Sequence, residues 1–400
     1  MLNAEIIDKD EEIVKFVNDL LEKAVKEGVS DVHIEPQATN TRVRFRKDGK
    51  LYIPEGYDNI PKQLHDYIIA QVKILTGTMN LDVKDQPQGG KIKKTIMDKE
   101  YVLRLLLYPT IHGESINIYK MDINMQDISI EDLCNNDDKL IEMFRRNINR
   151  KEGLILFTGP IGSGKSTFIN TTIKELSGTD KKIRTVEPIV ETQLENTDQF
   201  LLSDKLSMTG ALRQACQGDV DVLYIGRMHN FEIAHIGLEI GSNDGYLVLS
   251  SMYTNNTPDT LFRFTDLGIK KDLTASALKF AIGIRLQEKL CPHCSEKADY
   301  SEKELKNIGL TDEDIKIGNF RKKVGCPKCY NKGYVGKVAI IEMLEYTPTI
   351  MKAFVNGADR DEIEKIAREE DVYRSFAEDT RVKFLNGDID LVAARIFVLS

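Results

Sequence analysis

The sequence contains no tryptophan, six cysteines and six histidines among 400 residues, and no run of about 18 apolar residues that could form a membrane-spanning helix. The first residues, MLNAEIIDKDEE, are acidic and have no apolar segment, so we expect no signal peptide. The net charge of −8 implies no general affinity for nucleic acid. Hydrophobic residues make up 41% and charged residues 30%, as in an ordinary soluble globular protein, and the length suggests two or three domains. Together these features predict a cytoplasmic protein.

The spacing of apolar residues changes along the chain and divides it into regions. Residues 1–125 contain a helical pattern followed by segments of alternating polar and apolar residues, which predicts a small α+β domain. The polar, acidic residues 126–138 predict a linker. Residues 139–400 begin with short apolar runs that alternate with helical segments, which is typical of an α/β protein with a parallel sheet covered by helices on both faces. The predicted core strands are residues 154–158, 183–187, 222–226 and 246–251.

A glycine-rich stretch follows the first predicted core strand. It reads GPIGSGKS, which fits the pattern G-x-x-x-x-G-K-S, and a helical segment follows it. Glycines let backbone N–H groups turn toward phosphate oxygens, and the N-terminus of the next helix is positive. Lys165 can reach the β- and γ-phosphates and Ser166 can coordinate Mg²⁺, so the stretch predicts binding of ATP with Mg²⁺. The alternative is a chance glycine-rich turn. The predicted nucleotide-binding residues are Gly159, Pro160, Ile161, Gly162, Ser163, Gly164, Lys165, Ser166 and Thr167.

Four of the six cysteines form two C-P-x-C pairs that are separated by 31 residues. Four thiolates brought together in this way make a closed tetrahedral zinc site, so we predict a Zn²⁺ ion bound by Cys291, Cys294, Cys326 and Cys329. A redox pair and four unliganded thiols are the alternatives. His293, inside the first pair, is expected to face solvent rather than to bind the metal. We assign a zinc-binding subdomain to about residues 288–345 and a helical C-terminal part to residues 346–400.

In their order along the chain, these motifs resemble those of the hexameric assembly ATPases of type II secretion, type IV pili and competence pili. The resemblance runs from about residue 10 to residue 400, and the paired cysteines are typical of the secretion and pilus-extension branch. It implies a RecA-like P-loop core, a PAS-like N-terminal α+β domain and a small tetracysteine zinc subdomain. Besides the P-loop, the matching segments are Ser30–Pro36, an arginine-rich strand with Arg42, Arg44 and Arg46 followed by Asp48–Gly49, Pro87–Lys91, Thr185–Glu187, Ile225–Gly226, Leu247–Ser250, Gly333–Lys337 and Ile341–Leu344.

The resemblance also implies partners and a location. We expect a homo-hexamer, or a mixed ring with an active paralogue, on an inner-membrane platform protein at the cytoplasmic face, with membrane association only through partners. Longer family members carry a further N-terminal domain, which we expect to be absent here. In the family, basic residues of the first domain approach the nucleotide of a neighbouring subunit. Alternation puts Arg42, Arg44 and Arg46 on one strand face, which suits this role; a solvated face is the alternative. His33 and Glu35 also share a face and are expected to make structural hydrogen bonds.

The sequence departs from the family in the motifs that surround the nucleotide. After the Walker B strand the family has Gly-Glu-Ile/Met-Arg-Asp, whereas this chain has Gly-Arg-Met-His-Asn, so Arg227 replaces the catalytic glutamate. The Asp-rich box has lost its aspartate, and Pro188 occupies that position. Tyr246 and Tyr253 replace the two histidines of the His box. The residue changes therefore affect three motifs around one predicted site, whereas the phosphate-binding loop is intact.

These departures leave two hypotheses about turnover. Arginine cannot act as a base because its pKa exceeds about 12, and general-base help is worth roughly 10²–10⁴-fold. The first hypothesis is therefore an ATP-binding subunit with weak or absent hydrolysis. The second is an active hexameric motor that drives pilin assembly, in which Glu187 or Glu191 positions the water. The candidate catalytic residues are Lys165, Glu187 and Arg104, since Tyr119 occupies the position of a further family arginine. Nucleic-acid translocation, a third function of P-loop rings, is disfavoured by the acidic charge balance.

Overall fold

A computed structural model of the chain describes residues 9–47, 50–96, 99–121, 128–188, 190, 192, 194–202, 206–242, 245–329 and 331–398. Asp48 and Gly49, which follow the arginine-rich strand in the sequence, lie outside these residues. The chain divides into two compact units, Met1–Asp127 and Ile128–Ser400. No helix formed by the described residues is both long and apolar enough to cross a membrane.

The first unit combines helices with an antiparallel sheet, which confirms the α+β prediction. Within the described part of this unit, the strands follow the order β3-β2-β1-β7-β6-β5, with β4 paired to β2, and the pairings are antiparallel. The helices are α1 (Lys9–Glu27) and α2 (His65–Thr76), with a 3₁₀ turn at Lys62–Leu64, and the strands are β1 (Asp31–Pro36), β2 (Asn40–Lys47), β3 (Lys50–Tyr52), β4 (Ile60–Pro61), β5 (Gln88–Ile96), β6 (Lys99–Thr110) and β7 (Gly113–Met121).

The sheet of the first unit has one apolar and one polar face. Val32 and Ile34 of β1 and Val43 and Phe45 of β2 are buried, in one cluster with apolar residues of α1 and α2. Residues two apart in a strand share a face, so the intervening residues form the polar face. That face aligns an acidic or histidine side chain of β1 with each arginine of β2. The aligned pairs are Asp31 with Arg46, His33 with Arg44 and Glu35 with Arg42.

The second unit holds the glycine-rich loop and the cysteine pairs. Its helices are α3 (Ile130–Leu133), α4 (Asp138–Ile148), α5 (Lys165–Ser177), α6 (Met208–Ala215), α7 (Phe231–Ser242), α8 (Asp259–Asp266), α9 (Lys271–Ala277), α10 (Glu302–Asn307), α11 (Asp312–Ile317), α12 (Pro348–Val355), α13 (Arg360–Glu369), α14 (Phe376–Leu385) and α15 (Leu391–Val398). Its strands are β8 (Gly153–Thr158), β9 (Ile183–Glu187), β10 (Thr197–Leu201), β11 (Val222–Arg227), β12 (Leu247–Met252), β13 (Leu278–Leu290), β14 (Glu296–Lys297), β15 (Arg321–Lys322), β16 (Tyr334–Glu345) and β17 (Tyr373–Arg374).

A mixed sheet forms the centre of the second unit, in the order β10-β9-β11-β12-β8-β13-β16-β17. The pairings from β10 to β13 are parallel, whereas β16 is antiparallel to both β13 and β17. Leu154 and Leu156 of β8 join one apolar cluster, and Ile155 and Phe157 join another, as expected for a central strand covered on both faces. The predicted α/β class is confirmed. The sheet is not wholly parallel because β13 and β16 form an antiparallel hairpin around the cysteine region.

The linker predicted at residues 126–138 differs from the structure in its second part. The Ser129 side chain accepts a hydrogen bond from the N–H of Asp132, whose carboxylate accepts one from the N–H of Ser129. This capping box starts helix α3. Ile130 and Leu133 of that helix are buried in the apolar cluster that also contains residues of α4 and α5. The polar composition of the stretch therefore reflects helix capping rather than a solvated linker.

Candidate functional site

The glycine-rich loop connects β8 to α5 at the carboxyl end of the parallel strands, where ligands of open α/β sheets bind. Gly159, Gly162 and Gly164 have φ angles of 143°, 75° and 96°, in the region that favours glycine. A Cβ atom on Gly159 would also collide with the carbonyl oxygen of Ile284 on β13. The local backbone therefore requires the glycines of the motif, and it leaves the N-terminus of α5 directed at the loop.

Lys165, the first residue of α5, is held by the loop itself. Its Nζ donates hydrogen bonds to the carbonyl oxygens of Gly159 and Pro160, at 2.8 and 2.6 Å. Burial, followed by the charges of Arg285 and Arg227, lowers the pKa of Lys165 to about 8. A bound anion would raise the pKa of Lys165 again, because a nearby negative charge stabilises the ammonium form.

The loop also contains an orphaned polar atom. The Ser163 hydroxyl is buried and has no hydrogen-bond partner in the described part of the chain. Buried hydroxyl groups are normally hydrogen-bonded, so this group fits a loop that receives phosphate oxygens. Ser166 in the first turn of α5 is exposed, which leaves its hydroxyl accessible to a metal ion. The residues present therefore fit a nucleotide phosphate group accompanied by Mg²⁺.

Arg227, the last residue of β11, contacts the same aromatic ring as Lys165. Its guanidinium carbon lies 4.7 Å from the centre of the Tyr253 ring, and Lys165 Nζ lies 4.7 Å from that same centre. Both contacts have cation–π geometry, in which the ring quadrupole attracts a positive charge. Sequence reasoning identified Arg227 and Tyr253 as departures from the family, and the structure brings the two side chains into direct contact.

His229, Asn230 and Tyr246, which the sequence analysis also singled out, make local contacts. His229 Nδ1 lies 3.0 Å from the carbonyl oxygen of Arg227. The Asn230 side chain accepts a hydrogen bond from the N–H of Ile233 in the first turn of α7. Tyr246 lies before the start of β12, at the end of the strand opposite Tyr253, and its hydroxyl donates to the carbonyl oxygen of Cys216. Tyr253 therefore contacts Lys165, whereas the hydroxyl of Tyr246 is bonded at the other end of β12.

Arg285 of β13 is a third cation at the loop, and sequence reasoning missed it. Its Nη1 donates to the carbonyl oxygen of Ile284 at 3.0 Å, and its Nη2 donates to the carbonyl oxygen of Asn255. The guanidinium carbon lies 5.0 Å from the centre of the Phe376 ring. Burial lowers the pKa of Arg285. Only the pairing of β13 with β8 reveals that this residue adjoins the P-loop, and no local motif marks that pairing.

The loop that follows β12 and carries Tyr253 is anchored by the antiparallel hairpin. The buried carboxylate of Glu342 on β16 accepts hydrogen bonds from the N–H of Thr257 and from the Tyr373 hydroxyl. The hydroxyl of Tyr346 donates to the carbonyl oxygen of Thr257 at 2.6 Å. Burial raises the pKa of Glu342 to about 7. Together with the Arg285 contact to Asn255, these bonds fix the position of the loop by its backbone.

The other predicted catalytic residues are distributed between the two units. Glu187 ends β9, next to β11, and its side chain is half-buried. Glu191 lies outside the described residues. Arg104 belongs to β6 of the first unit, where it is paired with Tyr119 of β7 and Lys91 of β5. The structure therefore brings Lys165 and Arg227 together, and the catalytic roles of Glu187 and Arg104 stay predictions.

The polar face of the first unit contains a network of ion pairs. Glu35 accepts hydrogen bonds from Nε of Arg42 at 2.9 Å and from Nε and Nη2 of Arg44 at 2.9 and 2.5 Å. Burial opposes ionisation of Glu35, but these arginines outweigh it and lower the pKa. His33 Nδ1 lies 2.8 Å from Oδ1 of Asn117. The prediction that His33 and Glu35 make structural hydrogen bonds is confirmed.

The four paired cysteines converge, as predicted. Their sulfur atoms lie within 4.8 Å of one another, with distances of 4.0 Å for Cys291 to Cys326, 3.8 Å for Cys294 to Cys329 and 3.7 Å for Cys326 to Cys329. Tetrahedral zinc with Zn–S bonds of about 2.3 Å requires sulfur separations of about 3.8 Å. The observed distances exceed the separation of about 2.05 Å in a disulfide bond, so the four cysteines are free thiols in the structure. His293 is exposed, as predicted.

Backbone donors complete the cysteine cluster. The N–H groups of Cys326 and Gly333 donate to Sγ of Cys329 at 3.1 and 3.2 Å. Hydrogen bonds of this kind stabilise a thiolate and orient a metal ligand. Cys291 and Cys329 are buried, whereas Cys294 and Cys326 are partly exposed. The donor set, four thiols at zinc spacing with N–H support, fits Zn²⁺.

The fold and the two sites define a P-loop nucleotide-binding protein of the α/β class with an attached tetracysteine metal site. The chain matches the family described as "Type II/IV secretion system protein" over residues 7–394, nearly its whole length. This chain therefore belongs to that family.

Curated relatives include pilus and secretion ATPases. The chain is 34% identical to the type IV pilus assembly ATPase PilB of Myxococcus xanthus and 33% identical to PilB of Pseudomonas aeruginosa, over 90% of this chain and 63% of each relative. It is 31% identical to the type II secretion system ATPase E of Vibrio cholerae, over 92% of this chain and 72% of that relative. The chain thus spans slightly less than two thirds of the length of the two PilB relatives.

Solved structures share the fold at low sequence identity. The ATPase DotB of Legionella pneumophila aligns with a TM-score of 0.65 and 16% identity, over 100% of this chain and 98% of that chain. The pilus retraction motor PilT with bound ADP aligns with a TM-score of 0.62 and 18% identity, over 94% and 95%. These similarities establish the architecture of the chain.

We expect the purified protein to contain about one zinc ion per chain, because four thiolates at tetrahedral spacing bind zinc. Replacing one buried ligand, Cys291→Ser, should remove most of that zinc as measured by inductively coupled plasma mass spectrometry. The matched control is Cys216→Ser, since Cys216 stands apart from the cluster. Zinc content that is the same in the two variants would contradict the assignment.

We expect the affinity for MgATP to fall about tenfold between pH 7 and pH 9. The nucleotide-free Lys165 has a pKa of about 8, and a phosphate partner would raise that pKa, so binding takes up a proton. Titration calorimetry at pH 8 in buffers with different ionisation enthalpies measures this uptake, and at pH 6.5 the contribution of Lys165 should disappear because its amine is already charged. A proton balance that is identical at the two pH values would show that Lys165 does not change its ionisation on binding.

Proposed function

We propose that this chain is an ATP-binding subunit of a type IV pilus, type II secretion or competence assembly system, with weak or absent ATP hydrolysis. Family membership, and relatives named as pilus assembly and secretion ATPases, support the assignment to such an assembly system. Support for weak turnover comes from Arg227, which lies against Tyr253 beside the P-loop lysine, at the position where the family has its catalytic glutamate. An arginine there supplies charge but no base.

The residues of the chain suit holding a nucleotide. The loop from Gly159 to Gly164 offers backbone N–H groups, Lys165 offers a positive charge for the β- and γ-phosphates, and Ser166 offers a hydroxyl for Mg²⁺. Mg²⁺ would neutralise part of the phosphate charge. Hydrolysis needs in addition an oriented water and a group that accepts its proton, worth roughly 10²–10⁴-fold in rate. Arg227 would place a positive charge near that water and cannot accept its proton.

An active hexameric motor is the second candidate. Glu187 favours it, because this carboxylate ends β9 beside β11 and is half-buried at the ligand-binding edge of the sheet. In a motor, Glu187 would orient the water in place of the missing glutamate. Glu187→Gln would then abolish turnover while leaving nucleotide binding intact.

For the assembly we propose a homo-hexamer or a mixed ring with an active paralogue, located at the cytoplasmic face of the inner membrane on a platform protein. Arg104 would then serve as an arginine finger toward a neighbouring nucleotide, and the arginine face of β2 would adjoin the same site. The zinc ion is proposed to be structural, since its four cysteine ligands close the coordination sphere.

ATP binding and steady-state phosphate release distinguish the two candidates. We expect the wild type to bind ATP with slow release, and Arg227→Glu to raise the hydrolysis rate by roughly 10–100-fold, part of the general-base contribution. Lys165→Ala should abolish binding, because the phosphates lose their main charge partner. Arg213→Glu makes the same charge change at an exposed arginine on α6 and should leave the rate unchanged.

Fast phosphate release by the wild type that is lost on Lys165→Ala would overturn the weak-hydrolysis proposal and favour the motor. A second line of evidence is the rate of a mixture with an active relative, which a subunit of mixed rings should alter and a separate homo-hexamer should not.

A further inference from the structure

The Tyr253 ring brings two cationic side chains to one site. Lys165 Nζ and the Arg227 guanidinium carbon each lie 4.7 Å from its centre, so the two charges are less than about 10 Å apart. Like charges at this range repel, and the charge of Arg227 contributes to the lowered pKa of Lys165. An aromatic ring that attracts both cations offsets part of that repulsion.

The loop that carries Tyr253 is held by hydrogen bonds to its backbone. Asn255, two residues on, accepts a hydrogen bond from Arg285, and Thr257 is held by Glu342 and Tyr346. Tyr253 is 39% exposed, so part of the residue faces solvent. The structure therefore contains a fixed aromatic support for the Arg227 guanidinium.

Arg227 is placed differently from the groups of the P-loop. The P-loop and the first turn of α5 directly follow β8. Arg227 instead comes from β11, which is separated from β8 by β12. Because its guanidinium shares the Tyr253 ring with Lys165, Arg227 adjoins the part of the ligand that lies next to Lys165. In a nucleotide bound by its diphosphate to the P-loop, that part is the terminal γ-phosphoryl group.

We propose that Arg227, supported by Tyr253, binds the γ-phosphate and makes the site select nucleoside triphosphates over diphosphates. This inference rests on the proposed nucleotide-binding function and assigns a specificity to that site. The guanidinium of Arg227, at the position of the family's catalytic glutamate, then stabilises the triphosphate-bound state. A charge-assisted arginine–phosphate contact is strong enough for selectivity of about tenfold or more.

The test compares the Kd of AMP-PNP with that of ADP, both with Mg²⁺, by titration calorimetry on the full chain. AMP-PNP is not readily hydrolysed, so turnover does not enter the result. We expect the wild type to bind AMP-PNP at least about tenfold more tightly than ADP. Arg227→Gln should bring the ratio close to one by weakening AMP-PNP, with the Kd of ADP changed by less than about twofold.

Variants of Tyr253 test whether the aromatic ring is needed to position the Arg227 guanidinium. Tyr253→Leu removes the ring and should lower the AMP-PNP to ADP selectivity, whereas Tyr253→Phe keeps the ring and should retain it. Tyr67→Leu is the matched control, since Tyr67 is 45% exposed and lies on α2 of the first unit. Thermal melts and zinc content confirm that each variant is folded.

The outcomes distinguish this inference from the proposed function. Selectivity that is unchanged in Arg227→Gln, or an equal loss of affinity for both nucleotides, overturns the γ-phosphate assignment while nucleotide binding stands. Absence of binding for both AMP-PNP and ADP in the wild type overturns the nucleotide-binding function itself. Fast ATP hydrolysis by the wild type overturns only the weak-hydrolysis proposal and leaves the selectivity ratio as measured.

Discussion

The pairing of β13 between parallel β8 and antiparallel β16 is the contact on which both sites depend. It brings Gly283 beside Thr158 at the end of β8, and thereby sets Arg285 against Gly159 of the P-loop. The same strand continues to Leu290, directly before Cys291 of the metal cluster. From Phe280 to Gly283 the strand is buried and pairs with both β8 and β16, and its pairing with β16 continues to Leu290. One continuous strand therefore connects the phosphate loop to the cysteine cluster.

The partner strand β16 adds the second restraint. Its Glu342 holds the backbone of Thr257, so the loop that carries Tyr253 is fixed by the hairpin and not only by β12. A buried carboxylate is costly unless it is hydrogen-bonded, and here a backbone N–H and the Tyr373 hydroxyl both donate to it. The hairpin therefore holds the P-loop through Arg285 and the Tyr253 loop through Glu342. This explains how a cluster of cationic and aromatic side chains keeps a defined arrangement.

The parts of the fold that the sequence predicts are those set by local patterns. Strands β8, β9, β11 and β12 are short apolar runs, and the P-loop and cysteine pairs are motifs with fixed spacing, so each can be read without knowing its neighbours. Arg285 and Glu342 become part of the site through long-range strand pairing, which no local pattern encodes. The capping box at Ser129 is itself a local signal, but it lies in a polar stretch whose composition equally describes a linker.

The identities of residues 227 and 253 are linked by electrostatics. Arginine at 227 adds a positive charge near Lys165, and a histidine at 253 could be protonated and would then make a third charge in the same group. Tyrosine has no basic group and offers its π face to both cations, so it lowers the free-energy cost of bringing them together. Lys165, Arg227 and Tyr253 together carry an excess of positive charge, and this group of three includes no carboxylate or imidazole that could act as a base. Such a group of side chains is stabilised most by a bound polyanion, which agrees with the proposal that this site retains a nucleotide.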